Sequence, residues 1–173
     1  MKNKFFIESF KCVNVNNISI NISIDLIYSQ YFMTENNLVL PIVCYLCDGL
    51  KYRSKVLVYQ EATLRNWNRV DLVIVTATPE YEGCLITAVE LESTLKRAIY
   101  DPNHGIYQLE KYVGNKLYLG IPANEFCKEV RNKCEERGYG LLAVHGDGKV
   151  EELQKPSFMD CDLHNYKDVF YRF

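Results

Sequence analysis

Residues 18–27 alternate strictly, with Ile18, Ile20, Ile22, Ile24 and Leu26 on one side and Ser19, Asn21, Ser23 and Asp25 on the other. A period of two is that of a half-buried strand. Together with 4–13 and the Asn14-Val15-Asn16-Asn17 connection, it predicts an N-terminal β-hairpin within 1–28. Three later runs, Lys55-Val56-Leu57-Val58-Tyr59, 69–75 and 85–92, are rich in Val, Ile and Leu and read as strands. Thr34 or Asn36-Asn37 opens a helix that runs to Leu50 and is closed by Gly49, with Pro41 in its first turns. Helical stretches follow at 94–100 and 104–113, interrupted by Asp101-Pro102-Asn103, the second with Ile106, Leu109 and Val113 as its apolar stripe. A strand at 116–121 is stopped by Pro122, and an amphipathic helix at 123–137 is stopped by Gly138. Strands at 141–144 and 149–153 flank His145-Gly146-Asp147-Gly148, which reads as a hairpin turn and not a phosphate cradle because a strand follows it. This order predicts an α/β fold, a central mixed sheet flanked by helices, in a single domain over 1–173. The core spans 34–153, and the aromatic tail at 156–173 has no clear period.

Pairing the 69–75 and 85–92 strands about a loop centred on Pro79-Glu80 sets Val75 against Ile86 and Asp71 against Glu90. Opposed side chains on one sheet face are about 5 Å apart. Glu92 lies two residues beyond Glu90 on the same face. Two readings are open: the solvated face of a half-exposed strand, or three converging carboxylates. Ile86 and Ala88 share that face with the acids, which points to partial burial. Like charges so close are costly without a cation, and an all-oxygen set suits Mg²⁺ or Mn²⁺.

Composition narrows the class. At 173 residues, 48% hydrophobic and 24% charged, the chain can bury a sizeable core and is not disordered. Net charge is −2, so any nucleic-acid contact must be a local patch. No apolar run is long enough to cross a bilayer, and the N-terminus lacks the apolar stretch of a signal peptide; the expectation is an intracellular, cytoplasmic protein. Seven scattered cysteines, an odd number, do not make a secreted disulfide framework. They are expected to be small buried hydrophobes, including Cys44 and Cys47, and Cys127 and Cys134 on one helix face.

The element order over 34–153, with Asp71 and Glu90 where they fall, resembles the restriction-endonuclease-like nucleases, the PD-(D/E)xK superfamily. Gln108-Leu109-Glu110-Lys111-Tyr112 is similar to the Gln-x-x-x-Tyr signature of its RecB-like branch, in which that helix face supports the active site and contacts nucleic acid. The family motif ends in Lys where this chain has Glu92, as a minority of restriction enzymes do. The resemblance implies a Mg²⁺- or Mn²⁺-dependent nuclease acting on DNA. Asp71, Glu90 and the Leu91 carbonyl would hold the metal, and Glu92 would act as general base or additional ligand. Gln108, Lys111 and Tyr112 would face nucleic acid. Lys96 and Lys111 are candidates for a migrated lysine, Glu35 for an accessory acid, and His104 for a phosphate contact, each with surface solvation or capping as its alternative.

A basic and aromatic cluster precedes Asp71: Lys51, Tyr52, Arg53, Lys55, Arg65, Trp67 and Arg69. Arg65 and Arg69 can track phosphates and Trp67 can stack on a base; the alternative is a solvated loop around one core tryptophan. The competing class is a catalytically inactive nucleic-acid-binding or protein-interaction module on the same fold, including one that binds a protein through the N-terminal hairpin. A homodimer is compatible with either.

Overall fold

The structure, a computed structural model, describes residues 33–48, 55–77, 84–161 and 166. The expected N-terminal hairpin, Gly49, Lys51, Tyr52, Arg53, the Pro79-Glu80 loop centre and much of the tail lie outside the described residues. Strands β1 (Lys55–Thr63), β2 (Arg69–Ala77) and β3 (Leu85–Leu91) form an antiparallel meander. Strands β4 (Lys116–Pro122) and β5 (Gly140–Val144) add in parallel, and β6 (Val150–Gln154) returns antiparallel. The result is one mixed six-stranded sheet in sequence order.

Helix α1 (Glu35–Cys47) precedes the sheet. Its start is fixed by Asn37, whose side-chain oxygen accepts from the Thr34 N–H at 3.0 Å and from the Thr34 hydroxyl at 2.6 Å. Helices α2 (Leu95–Ile99) and α3 (Gly105–Leu109) form the β3–β4 crossover, and α4 (Lys128–Arg137) the β4–β5 crossover. Two parallel crossovers stepping the same way across a sheet, with the usual right hand, put their helices on one face. Ala98, Ile99, Ile106, Leu109, Val130 and Cys134 accordingly pack there against Val73, Val75, Ile86, Ala88 and Leu119. The other face belongs to α1, with Leu38, Ile42 and Val43 on Leu72, Ile74, Val89 and Leu91. The period-two pattern of β2 and β3 thus has two apolar sides because both faces are covered.

Three elements differ from expectation. The helix expected over 123–137 is a 3₁₀ turn (Ala123–Glu125), two extended residues, and then α4. The Glu125 carboxylate accepts from the Leu95 N–H at 2.7 Å, a tertiary bond that holds the turn apart from α4. Cys127 is therefore the N-cap of α4 and not a residue within it, although it packs against the same core cluster as Cys134. The helix expected over 104–113 is α3 alone, continued by i→i+3 bonds from Lys111 to Gln108 and from Tyr112 to Leu109. Strand β1 runs four residues beyond Tyr59, through a kink at Glu61 with φ 54° that breaks its alternation. The β5–β6 turn is a hairpin, closed by the Gly148 N–H on the His145 carbonyl at 2.9 Å, as read from the sequence.

The described residues of the tail pack despite its lack of period. Ser157 donates to the Gly138 carbonyl at 2.8 Å, and Met159 and Asn115 exchange bonds at 2.9 Å. Tyr166 is buried, bridges Leu64 in the β1–β2 turn and gives its hydroxyl to the Val113 carbonyl. Among the described residues, Cys44, Cys84, Cys127 and Cys134 are free thiols. Cys134 is buried as expected, whereas Cys44 is exposed on α1. Among the described residues no helix is long and apolar enough to cross a membrane.

Candidate functional site

The β2–β3 register sets Val75 opposite Ile86 and Leu72 opposite Val89, so the next step brings Asp71 to Glu90. The pairing read from the sequence holds. The two carboxyls lie close enough to share a proton, and the Leu91 N–H donates to Asp71 Oδ2 at 2.9 Å. The Leu91 side chain belongs to the α1 core, so only its backbone reaches the site. Glu90 is 2% exposed and Glu92 0%, which overturns the solvated-face alternative.

Burial raises all three carboxyl pKa values. For Glu90 desolvation leads and the Asp71 charge adds to it, pushing it up to about 10. Asp71 is raised by desolvation, against the lowering effect of the Leu91 N–H. Glu92 is raised by desolvation, against Arg97. In the absence of a cation, Asp71 and Glu90 are best accommodated sharing a proton.

The Gln108-x-x-x-Tyr112 segment braces this pair. The Tyr112 hydroxyl donates to Glu90 and stands 3.0 Å from the Arg69 carbonyl; Gln108 Nε2 reaches the same hydroxyl at 2.9 Å and the same carbonyl at 3.2 Å. The two side chains meet although the helix ends at Leu109, because the tight turn after it preserves their proximity. Tyr112 is buried, and its hydroxyl is committed to the carboxylate and to the root of the β1–β2 turn.

Glu92 is held from a different quarter. Its N–H continues the ladder to the Gly120 carbonyl at 3.0 Å. Its Oε1 accepts from the Gly105 N–H at 3.0 Å and lies 3.3 Å from His104 Nδ1, while Arg97 Nε lies 3.2 Å from Oε2. Gly105 has φ +54°, and a Cβ there would fall 2.1 Å from the Ala98 carbonyl oxygen, so the approach needs glycine. Arg97 spans the pocket, with Nη1 at 2.5 Å from Glu35 Oε1 and Nη2 at 2.8 Å from His104 Nδ1. Glu35 and His104, expected as accessory or solvated residues, are thus both tied into this network.

The positive charge beside Glu92 is Arg97, which the sequence reading did not single out. Lys96 and Lys111, the lysines it named, are both exposed. The apolar stripe of α2, Leu95, Ala98 and Ile99, does not distinguish Lys96 from Arg97; only the docking of the helix does. The β1–β2 turn carries Arg65, Trp67 and Arg69 outward, with Arg69 Nη1 3.6 Å from Glu61. Trp67 is 77% exposed with φ 68°, so it is not the core tryptophan of the alternative reading.

One oxygen each of Glu90 and Glu92 and one nitrogen of His104 lie within 4.8 Å of one another, a group able to hold a metal ion. No protein-family model matches the chain, and no curated protein matches it in sequence.

Proposed function

We propose that the protein is a metal-dependent nuclease that hydrolyses phosphodiester bonds, with DNA as its substrate class, on a restriction-endonuclease-like core. The observation that carries this reading is the facing pair Asp71 and Glu90 at the end of the β2–β3 ladder, a half-buried and a buried carboxyl that can ionise together only beside a cation. The helix–three strands–helix–strand–helix–strand order around it supports the fold half of the reading. Mg²⁺ or Mn²⁺ is the cofactor that the Asp71–Glu90 pair suits. When bound, such an ion lowers the pKa of water and neutralises charge developing on the phosphate.

The protein's own residues do the rest. The Leu91 N–H aims Asp71, and Tyr112 aims Glu90. Glu92 fits the role of additional ligand better than that of general base, since its carboxylate is wholly buried and held by Gly105 and Arg97. Arg97 supplies a positive charge next to the position where the family motif has Lys. The exposed Arg65, Trp67 and Arg69 are tied to the site through the Arg69 carbonyl, so a strand gripped by the turn would pass the carboxylates.

The test is cleavage of single-stranded, duplex and branched DNA with Mg²⁺ or Mn²⁺, comparing wild type with Asp71→Ala and Glu90→Ala. Wild type should cleave and both variants should lose at least about 10²-fold in rate. A folded wild type that binds these DNAs but cleaves none with either metal would make the chain a nucleic-acid-binding module instead.

A further inference from the structure

Beside the Asp71–Glu90 pair, Glu92 and Arg97 meet His104, a residue that the nuclease reading does not use. His104 Nδ1 lies 2.8 Å from Arg97 Nη2 and 3.3 Å from Glu92 Oε1. Arginine can only donate, so Nδ1 meets Arg97 with its lone pair. The same nitrogen then has no proton to give the Glu92 carboxylate 3.3 Å away, an approach that a cation beside them favours. The guanidinium is that cation here. Glu92 Oε2, on a side chain 0% exposed, accepts no hydrogen bond; the Arg97 Nε contact at 3.2 Å is an ion pair without hydrogen-bond geometry. A buried carboxylate oxygen that lacks a donor is an open coordination position. The 3.3 Å separation of Nδ1 and Oε1 also matches the edge of a tetrahedron with bonds of about 2.0–2.1 Å.

We propose that Glu90, Glu92 and His104 form a seat for a borderline divalent cation of the Zn²⁺, Co²⁺ or Mn²⁺ kind, with the Arg97 guanidinium as its displaceable internal counter-ion. The imidazole sets the class: a nitrogen ligand suits these ions far better than Mg²⁺. Glu35 receives the guanidinium when the ion enters, since it already holds Arg97 Nη1 at 2.5 Å. The seat shares Glu90 and Glu92 with the site proposed above, and so rests on its carboxylates, but it does not depend on cleavage.

The experiment is titration of the metal-free full chain with Co²⁺, read by visible absorption, with Zn²⁺ and Mg²⁺ as competitors. Wild type should develop the bands of a low-symmetry Co²⁺ site, erased by Zn²⁺ but not by excess Mg²⁺. Loss of outer-shell partners alone costs about 10–100-fold in metal affinity, so His104→Ala, a direct ligand lost, should cost at least that. His104→Gln should weaken binding in the same direction, and its melting curve verifies that the protein is folded. Arg97→Gln should tighten Co²⁺ binding several-fold by removing a competing charge. Asp71→Ala should keep the Co²⁺ spectrum while losing Mg²⁺-dependent cleavage, so the two sites can fail separately. Undiminished Co²⁺ binding by His104→Ala and His104→Gln, no uptake by folded wild type, or weaker binding by Arg97→Gln would each overturn the proposal.

Discussion

The three acids of the site carry a pH signature. Burial raises Asp71, Glu90 and Glu92 above the ordinary carboxylate value of about 4, Glu90 to about 10. Between those values the native state keeps protons that the unfolded chain has released, so stability falls as pH rises. The contribution is full below the unfolded carboxylate range and is lost as pH climbs toward the folded Glu90 value. The metal-free protein should therefore melt at a lower temperature at pH 9 than at pH 6, and Glu90→Gln should flatten that slope. Metal needs the anion, so binding releases protons and tightens with pH; added Mn²⁺ should raise Tm more at pH 8 than at pH 6. A melting temperature that rises from pH 6 to pH 9 without metal would contradict the buried acid pair. At the same scale, Gly105→Ala must place a Cβ on the Ala98 backbone in a left-handed conformation. It should cost about 2 kcal/mol or more in denaturant melts and release Glu92 from the Gly105 N–H.

At the scale of elements, the sequence showed most where one period dominates. The β2–β3 register was legible because Val75 and Ile86 flank a loop whose Pro marks its centre, and a slip of one residue would turn the core face outward. Trp67 was not legible, because an aromatic side chain in a turn carries no period that tells inside from outside. The 3₁₀ turn at Ala123–Glu125 was hidden for another reason: its cause is the bond from Leu95 to Glu125, 30 residues away in sequence. The same holds for Arg97, placed by where α2 docks. Helix α4 ended where expected, with Gly138 at φ +70° accepting the left-handed cap. Gly138→Ala should cost about 1–2 kcal/mol, measured by the denaturant midpoint. Its Cβ would meet Ser157 Oγ at 2.8 Å, so amide exchange should also quicken at Ser157, whose N–H bonds the Gly138 carbonyl.

The described residues form one sheet with its candidate chemistry at a single end, where β2 begins and β3 runs out. That end is assembled from distant parts: α1 through Glu35, the β1–β2 turn through Arg69, and α2 and α3 through Arg97 and Gly105. Tyr166 braces it from the tail, since it pairs with Leu64 in the same turn that carries Trp67. Tyr166→Phe deletes one hydroxyl and should cost about 1 kcal/mol. Tyr166→Ala, emptying a buried site, should cost about 3–5 kcal/mol and speed exchange of the Leu64 and Trp67 amides, both bonded within that turn. Unchanged exchange in Tyr166→Ala would show that the turn stands alone.

The Leu64–Tyr166 bridge also sets an order in time. Asp71 and Glu90 lie on neighbouring strands and can meet as soon as β3 has been made. Tyr166 follows every helix and strand described, so a chain still being synthesised holds its acid pair before the turn beside it is pinned. During that interval the carboxylates would be formed but the surface proposed to present a nucleic acid to them would not. An unfinished chain would thus bring its two facing acids together before the turn beside them was fixed.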